Sequence, residues 1–182
     1  MNGLSIIPEC YLDTCLVETI TGHFDQFNHQ KGCNTVVRKM QEKFNDSFAV
    51  GIIDRDKREV PYLQEFELIA SQESLFLHKH RTKHHYIIQI SPAIESFFLK
   101  ATNEMGIDIA TEYELPSDIQ NLTKITKQVS GKNENTFKTF KRLFTRISEA
   151  TEFGRLAKLI KYLGDNTYNI DIEELKRICC QP

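Results

Sequence analysis

Acidic residues stand at two points of the sequence where short apolar runs end. Glu9 follows the apolar run 4–8, and Asp54 and Asp56 follow the run 48–53, which reads FAVGII. Two aspartates separated by one residue at the end of a strand point in roughly the same direction, because side chains alternate along a strand. Hard oxygen ligands in this arrangement suit Mg²⁺ or Mn²⁺. Such an ion needs few protein carboxylates and keeps several water ligands, which phosphate oxygens of a substrate can replace.

A third position and an alternative interpretation bear on the role of these acids. Glu95 lies in the first turn of a helix that Ser91-Pro92 is expected to start, so it can lie beside the other carboxylates. A third carboxylate can complete the charge of a metal site or act as a general acid or base. The alternative is that the Asp-x-Asp pattern only forms a turn and that the charged residues after it are a solvated run.

The elements that must position these acids follow from the apolar patterns. Short apolar or extended runs predict strands, and apolar residues at helical spacing predict helices. Strands alternate with helices early in the chain, whereas the part after Gly106 is helical, so the sequence predicts an α/β fold with an added helical region. Strands are expected at 4–8, 48–53, 66–70, 74–80 and 84–90.

The direction of the strands decides whether the acids meet. In open α/β sheets, ligands bind beyond the carboxyl ends of parallel strands. If the first, second and last predicted strands run parallel, Glu9, Asp54, Asp56 and Glu95 converge at one edge of the sheet. The crossover rule favours adjacent or nearly adjacent parallel strands for the runs 4–8 and 48–53.

Three segments together resemble a known family. The order IIPECYLDTCLVE, FAVGIIDRDKR and QISPAIESFFLK is similar to the Toprim fold in its small stand-alone form, of the RloB type and OLD-like. The resemblance covers residues 4–100. It implies a Rossmann-like, mostly parallel central sheet flanked by helices. We therefore expect a core at 1–106 and, packed on the same domain, a C-terminal helical extension at 107–182.

The resemblance also implies roles for single residues. Glu9 matches the family's general acid or base, and Asp54 and Asp56 match its metal ligands. Glu95 matches the glutamate of a later segment and is taken as a further ligand. These roles imply Mg²⁺-dependent cleavage of phosphodiester bonds in nucleic acid, in defence against foreign DNA. The rival hypothesis is a non-catalytic module that acts through a protein partner or a second copy, and it is favoured by Cys10, where the family usually has glycine.

Basic residues flank the proposed site or form a separate cluster. The stretch 78–85 is the most basic of the chain and predicts a hairpin tip, which is either simply solvated or in contact with a phosphate backbone. The candidate nucleic-acid-binding residues are Arg55, Lys57, Arg58, Lys79, Arg81 and Lys83.

The bulk composition limits the classes of protein that fit. The chain has 182 residues, 40% hydrophobic and 26% charged, with a formal net charge of −2, which is ordinary for one folded domain and gives no overall basic excess. We expect a cytoplasmic protein, because no signal peptide or membrane-spanning run is visible. The five cysteines form no CxxC pair, so reduced thiols are expected rather than disulfides or a zinc site.

Overall fold

The computed structural model describes residues 3–55, 60–132 and 134–180. Strands and helices alternate in the first part, and helices alone follow the last strand. Their bounds are β1 (Ile6–Pro8), α1 (Tyr11–Thr21), α2 (Cys33–Lys43), β2 (Ala49–Asp54), β3 (Phe66–Gln72), β4 (Leu75–His80), β5 (His85–Ile90), α3 (Ile94–Glu104), α4 (Ile109–Tyr113), α5 (Ile119–Thr126), α6 (Asn135–Arg146), α7 (Thr151–Asn166) and α8 (Ile172–Cys180).

The five strands form one sheet in the order β1-β2-β5-β4-β3. β1, β2 and β5 are parallel neighbours, with Ile7 opposite Gly51 and Asp54 opposite Ile90. The prediction that the first two apolar runs form adjacent parallel strands is confirmed. Because all three strands run the same way, their carboxyl ends meet at one edge, here named the carboxyl edge.

The sheet is mixed rather than mostly parallel. β4 pairs antiparallel with both β5 and β3. The reason is the length of the connections, since the short links β3–β4 and β4–β5 can only form hairpins, whereas a parallel pair needs a long crossover. The three extended segments that the sequence predicts in this region are confirmed, and the general expectation of an α/β sheet with flanking helices holds.

The free edge of β1 is covered by irregular chain. The backbone N–H groups of Asn28 and Gln30 donate to the carbonyl oxygens of Ile6 and Pro8, at 3.0 and 3.1 Å. This pairing satisfies an edge that would otherwise present open hydrogen-bonding groups. It also holds residues 28–32 beside the carboxyl edge.

The two faces of the sheet are covered unequally. On one face, α2 packs against β2 through Val36 and Met40. On the other face lie α1, α3 and the later helices, and one continuous apolar core joins them to the sheet. Buried members of that core from both parts of the chain include Ile6, Leu16, Phe98, Phe140, Phe144, Phe153 and Leu163.

Local capping signals explain the bounds of some helices. Gly22 ends α1 in the left-handed conformation (φ 70°), and its N–H donates to the carbonyl oxygen of Glu18. The helices expected near residues 119–129, 137–147, 156–163 and 172–178 are present. The short helix α4 was not predicted, because five residues cannot show an apolar period; Asp108 caps it by accepting from the N–H groups of Ala110 and Thr111.

Candidate active site at the carboxyl edge

Four acidic residues line one cleft at the carboxyl edge of the sheet. Glu9 follows β1, Asp54 ends β2, and Glu95 lies in the first turn of α3, which follows β5. The fourth is Asp13, in the first turn of α1. The cleft has a volume of about 620 Å³, and we call it the acidic cleft after these four carboxylates.

Hydrogen bonds tie the ends of the elements together at this point. The backbone N–H of Asp54 donates to Glu9 Oε2 at 3.0 Å, and the N–H of Ile94 donates to Asp54 Oδ1 at 2.9 Å. The N–H of Gly32 donates to the Glu9 carbonyl oxygen at 3.0 Å. The carboxylates of Glu9 and Asp54 are therefore each oriented by the backbone of a neighbouring element.

The N-terminal ends of two helices meet at the cleft. Cys10 and Tyr11 at the start of α1, and Ala93 and Ile94 at the start of α3, all contribute to its lining. A helix N-terminus carries a partial positive charge that favours anions nearby. The partial positive charges of both helix ends therefore lie close to the four carboxylates.

Asp13 is the site residue that the sequence argument missed. It is only 2% exposed, and among the residues that the structure describes its Oδ1 atom has no hydrogen-bond partner. The available signal was a charged residue within an otherwise apolar helical stretch, one helical turn beyond Glu9.

Burial and mutual repulsion shift the titration of two of these acids. Burial, together with the charges of Glu9 and Glu95, raises the pKa of Asp13 to about 7. Burial also raises the pKa of Asp54 to about 9, with added repulsion from Asp13, Glu9 and Glu95. Like charges this close favour either a bound proton or a bound cation.

Glu95 connects the carboxylates of the cleft to α5. The Glu95 side chain is 7% exposed, and Glu95 Oε1 accepts a hydrogen bond from the Thr126 hydroxyl. Thr126 ends α5, and Ile119 and Thr123 of the same helix also line the cleft. A helix from the C-terminal part of the chain therefore forms one wall of a site whose acids come from the N-terminal part.

Two of the three metal ligands predicted from the sequence lie in the described part of the chain. Asp54 and Glu95 line the cleft, whereas Asp56 lies outside the described residues. Over 3–55, 60–132 and 134–180, no group of three or more His, Cys, Asp or Glu side chains is arranged to hold a metal ion. The oxygen donors nevertheless fit Mg²⁺ chemically, because that ion is usually held by one or two carboxylates and completes its shell with water and substrate oxygens.

Of the predicted nucleic-acid-binding residues, Arg55 lies at the carboxyl edge. Its N–H donates to the Ile90 carbonyl oxygen at 2.7 Å, and its guanidinium group lies 3.9 Å from the centre of the Phe76 ring. Stacking of this kind restricts the orientation of an exposed guanidinium group. Lys57 and Arg58 lie outside the described residues.

Lys79, Arg81 and Lys83 are not brought to the acidic cleft. They lie in or next to the β4–β5 hairpin, which ends where β5 begins, opposite Ala49 at the amino end of β2. The length of β2 from Ala49 to Asp54 separates the two edges by roughly 16 Å at the usual rise of a strand. This stretch therefore does not lie beside the four acids, because the hairpin returns the chain to the opposite edge.

Other aromatic and basic side chains take that place. The rings of Tyr11 and His29 stack with their centres 3.8 Å apart and an angle of 24° between their planes. Both residues line the acidic cleft, together with the exposed residues Lys31 and Lys127. His29, Lys31 and Lys127 were not predicted, because His29 and Lys31 lie in an irregular segment and Lys127 lies far away in the sequence.

Comparison with known proteins gives no relative for this chain: no family model, no curated protein and no solved structure matches it. In the part of the chain that the structure describes, no helix is long and apolar enough to cross a membrane.

Proposed function

We propose that this protein is a divalent-metal-dependent enzyme that hydrolyses phosphodiester bonds in nucleic acid. The observation that carries the proposal is the convergence of four carboxylates, from Glu9, Asp13, Asp54 and Glu95, around one cleft at the carboxyl ends of three parallel strands. Ligand sites of open α/β sheets lie at this edge. The sequence resemblance to the Toprim family supports the same reaction and suggests a role in defence against foreign DNA.

A divalent cation fits the chemistry of the cleft. Within the described part of the chain, Asp13 Oδ1 is buried without a hydrogen-bond donor, and burial together with repulsion among the acids raises the pKa of Asp13 and Asp54. An unpaired buried charge is costly, so a cation at this place would remove a penalty. Bound there with Asp54 and Asp13 as ligands, Mg²⁺ would offset the charge of a phosphate and lower the pKa of a water molecule.

The protein residues then have separate roles. Glu9 is the proposed general base, and the Asp54 N–H bonded to its Oε2 atom limits the directions in which the carboxylate can point. The Ile94 N–H on Asp54 Oδ1 orients the Asp54 carboxylate in the same way. Arg55 and the N-terminal ends of α1 and α3 provide positive potential for the phosphate.

Metal binding is the first test. Calorimetric titration with Mn²⁺ should detect binding to the parent protein at millimolar concentration or below, and Asp54→Asn should remove it. Asp13→Asn should weaken it and also raise the melting temperature of the metal-free protein, because it removes a buried negative charge. Glu42→Gln, which changes an exposed carboxylate of α2, is the matched control and should behave like the parent.

Cleavage is the second test. With Mg²⁺ or Mn²⁺, the parent should cut DNA or RNA in a gel assay, and Glu9→Gln should lower the rate by about a hundredfold or more while metal binding persists. A parent protein that neither binds metal nor cuts any substrate would refute the proposal. Metal binding without turnover would instead support a non-catalytic module that works through a partner.

A further inference from the structure

We infer that the acidic cleft accepts an unpaired nucleotide unit, from a single strand or a free nucleotide, and excludes the phosphates of an intact duplex. This inference rests on the proposed function, whose substrate class it narrows. It follows from the depth of the carboxylates, from the wall formed by α5, and from the aromatic and basic groups beside them.

Two of the four carboxylates, Asp13 and Glu95, are buried in the cleft, whereas Glu9 and Asp54 are half-buried. Asp13 is 2% exposed and Glu95 7% exposed. The hydrogen bond from the Thr126 hydroxyl to Glu95 holds the end of α5 directly against this carboxylate. Ile119 and Thr123 of α5 extend the same wall of the cleft. A phosphate that reaches Glu95 therefore passes beside α5.

An intact duplex cannot meet this requirement without losing base pairs. Its phosphates lie on the outside of a rod that stays stiff over roughly 150 base pairs. Enzymes that act within deep sites on duplex DNA have to extrude a nucleotide, which costs a few kcal/mol. A volume of about 620 Å³ suits a small ligand or one to two nucleotide units rather than a double helix.

The lining has the groups that recognise unpaired nucleotides. The stacked pair Tyr11 and His29 provides aromatic surface, and Ile119 and Val129 provide apolar surface on the side of α5. Lys31 and Lys127 supply positive charge for the backbone of a strand. Aromatic stacking combined with such charge is the usual way in which proteins bind single strands without reading their sequence.

Binding, rather than cleavage, is the test. Fluorescence polarisation would compare a short labelled oligothymidylate with a closed dumbbell duplex, both in EDTA and with Mg²⁺, using Glu9→Gln so that neither is cut. We expect the single strand to bind at least about tenfold more tightly than the dumbbell, a difference of about 1.4 kcal/mol. Competition by thymidine monophosphate at concentrations similar to the strand would identify the free nucleotide as the source of the ligand.

Substitutions in and next to α5 distinguish binding in the cleft from a general effect of surface charge. Lys127→Ala should weaken strand binding several-fold, whereas Lys124→Ala, an exposed lysine of α5 that does not line the cleft, should change it less than about twofold. Thr123→Trp, at a half-exposed lining position, should fill the cleft and abolish strand binding with an unchanged circular dichroism spectrum.

The outcomes distinguish this inference from the proposed function. Equal binding of dumbbell and strand, or equal effects of Lys124→Ala and Lys127→Ala, would overturn the inference. Cleavage of the dumbbell by the parent as fast as the strand would also overturn it and leave the proposed function standing. Preferential strand binding without cleavage under any metal would uphold the inference and refute the proposed function.

Discussion

Cys10 stands where the family that the sequence resembles usually has glycine. Its backbone is extended (φ −144°, ψ 177°), a conformation open to any residue, so glycine is not required there. Its Sγ atom accepts a hydrogen bond from the Asp13 N–H at 3.4 Å and caps α1. Burial raises the pKa of the Cys10 thiol well above its usual range, so the side chain acts as a cap and not as a thiolate nucleophile.

His85 is a buried residue whose protonation should control stability. Its Nδ1 atom is 2.7 Å from the Tyr62 hydroxyl, and its Nε2 atom is 2.9 Å from the Phe44 carbonyl oxygen. The neutral ring satisfies both partners when Nε2–H donates to Phe44 and Nδ1 accepts from Tyr62. Burial lowers the pKa of His85 below its ordinary value of 6.5, and the nearby His80 and Lys83 lower it further.

The first prediction therefore concerns stability against pH. Because the folded state favours the neutral ring, the stability contributed by His85 is complete above about pH 6.5 and is lost as the pH falls towards the lower pKa of the folded protein. His85→Gln should lower the free energy of unfolding at neutral pH by about 1–3 kcal/mol, since it disturbs two buried hydrogen bonds. It should also make stability fall less steeply between neutral pH and pH 5.

Urea unfolding at several pH values would measure both effects. His84→Gln, which changes the exposed neighbouring histidine, is the control and should keep the slope of the parent. An unchanged slope for His85→Gln would mean that the buried ring does not resist protonation.

At the scale of elements, the close approach of α2 to β2 depends on a residue without a side chain. A Cβ atom at Gly51 would lie 3.0 Å from both Met40 Sδ and Val36 Cγ1, and 3.5 Å from Ile87 Cγ1. This packing fixes β2, whose last residue is Asp54. The glycine therefore helps to set the position of the candidate site from the opposite face of the sheet.

The second prediction is that Gly51→Val destabilises the protein by about 1–3 kcal/mol, the usual cost of overpacking a core. The comparison variant is Gly154→Ala in α7, where a Cβ atom would meet nothing within 4 Å. That change should instead stabilise the protein by roughly 0.5–1 kcal/mol, because alanine favours a helix interior. Chemical denaturation of both variants is the measurement, and a stable Gly51→Val would show that α2 can move away from the sheet.

At the scale of the whole molecule, the helices after Gly106 belong to the same apolar core as the sheet. Phe98 of α3 contacts Phe140 and Phe144 of α6, with ring centres 5.6 Å apart in both pairs, and Phe97 stacks on Phe153 of α7 at 5.1 Å. These five phenylalanines are all buried. Without these helices, α1 and α3 would therefore expose apolar side chains that are now buried.

The third prediction is that residues 1–106 do not fold alone, although the family resemblance is confined to that part. Removal of the later helices would expose Leu12, Leu16, Phe97 and Phe98, and each large apolar side chain contributes about 1.5–3 kcal/mol when buried. Against a typical total stability of about 5–15 kcal/mol, that loss is decisive. Thermal unfolding followed by circular dichroism should show no cooperative transition for 1–106 and a sharp one for the full chain; a cooperative fragment would contradict the prediction.

The sequence by itself determined the elements and much of their relation. Continuous apolar runs identified β1 and β2, the crossover rule gave their parallel direction, and together these led to Glu9, Asp54 and Glu95 at one edge. Those features are local, or depend on general rules of chain topology, so they can be inferred from one sequence.

Only the tertiary structure decided which distant residues join that edge. Asp13 became a site residue because α1 turns its first turn towards the cleft, and Lys127 because α5 folds back over α3. The basic hairpin went to the other edge because a tight turn reverses the chain. Such contacts depend on how apolar faces pack in three dimensions, and a single sequence carries no local pattern that specifies which helix covers which strand end.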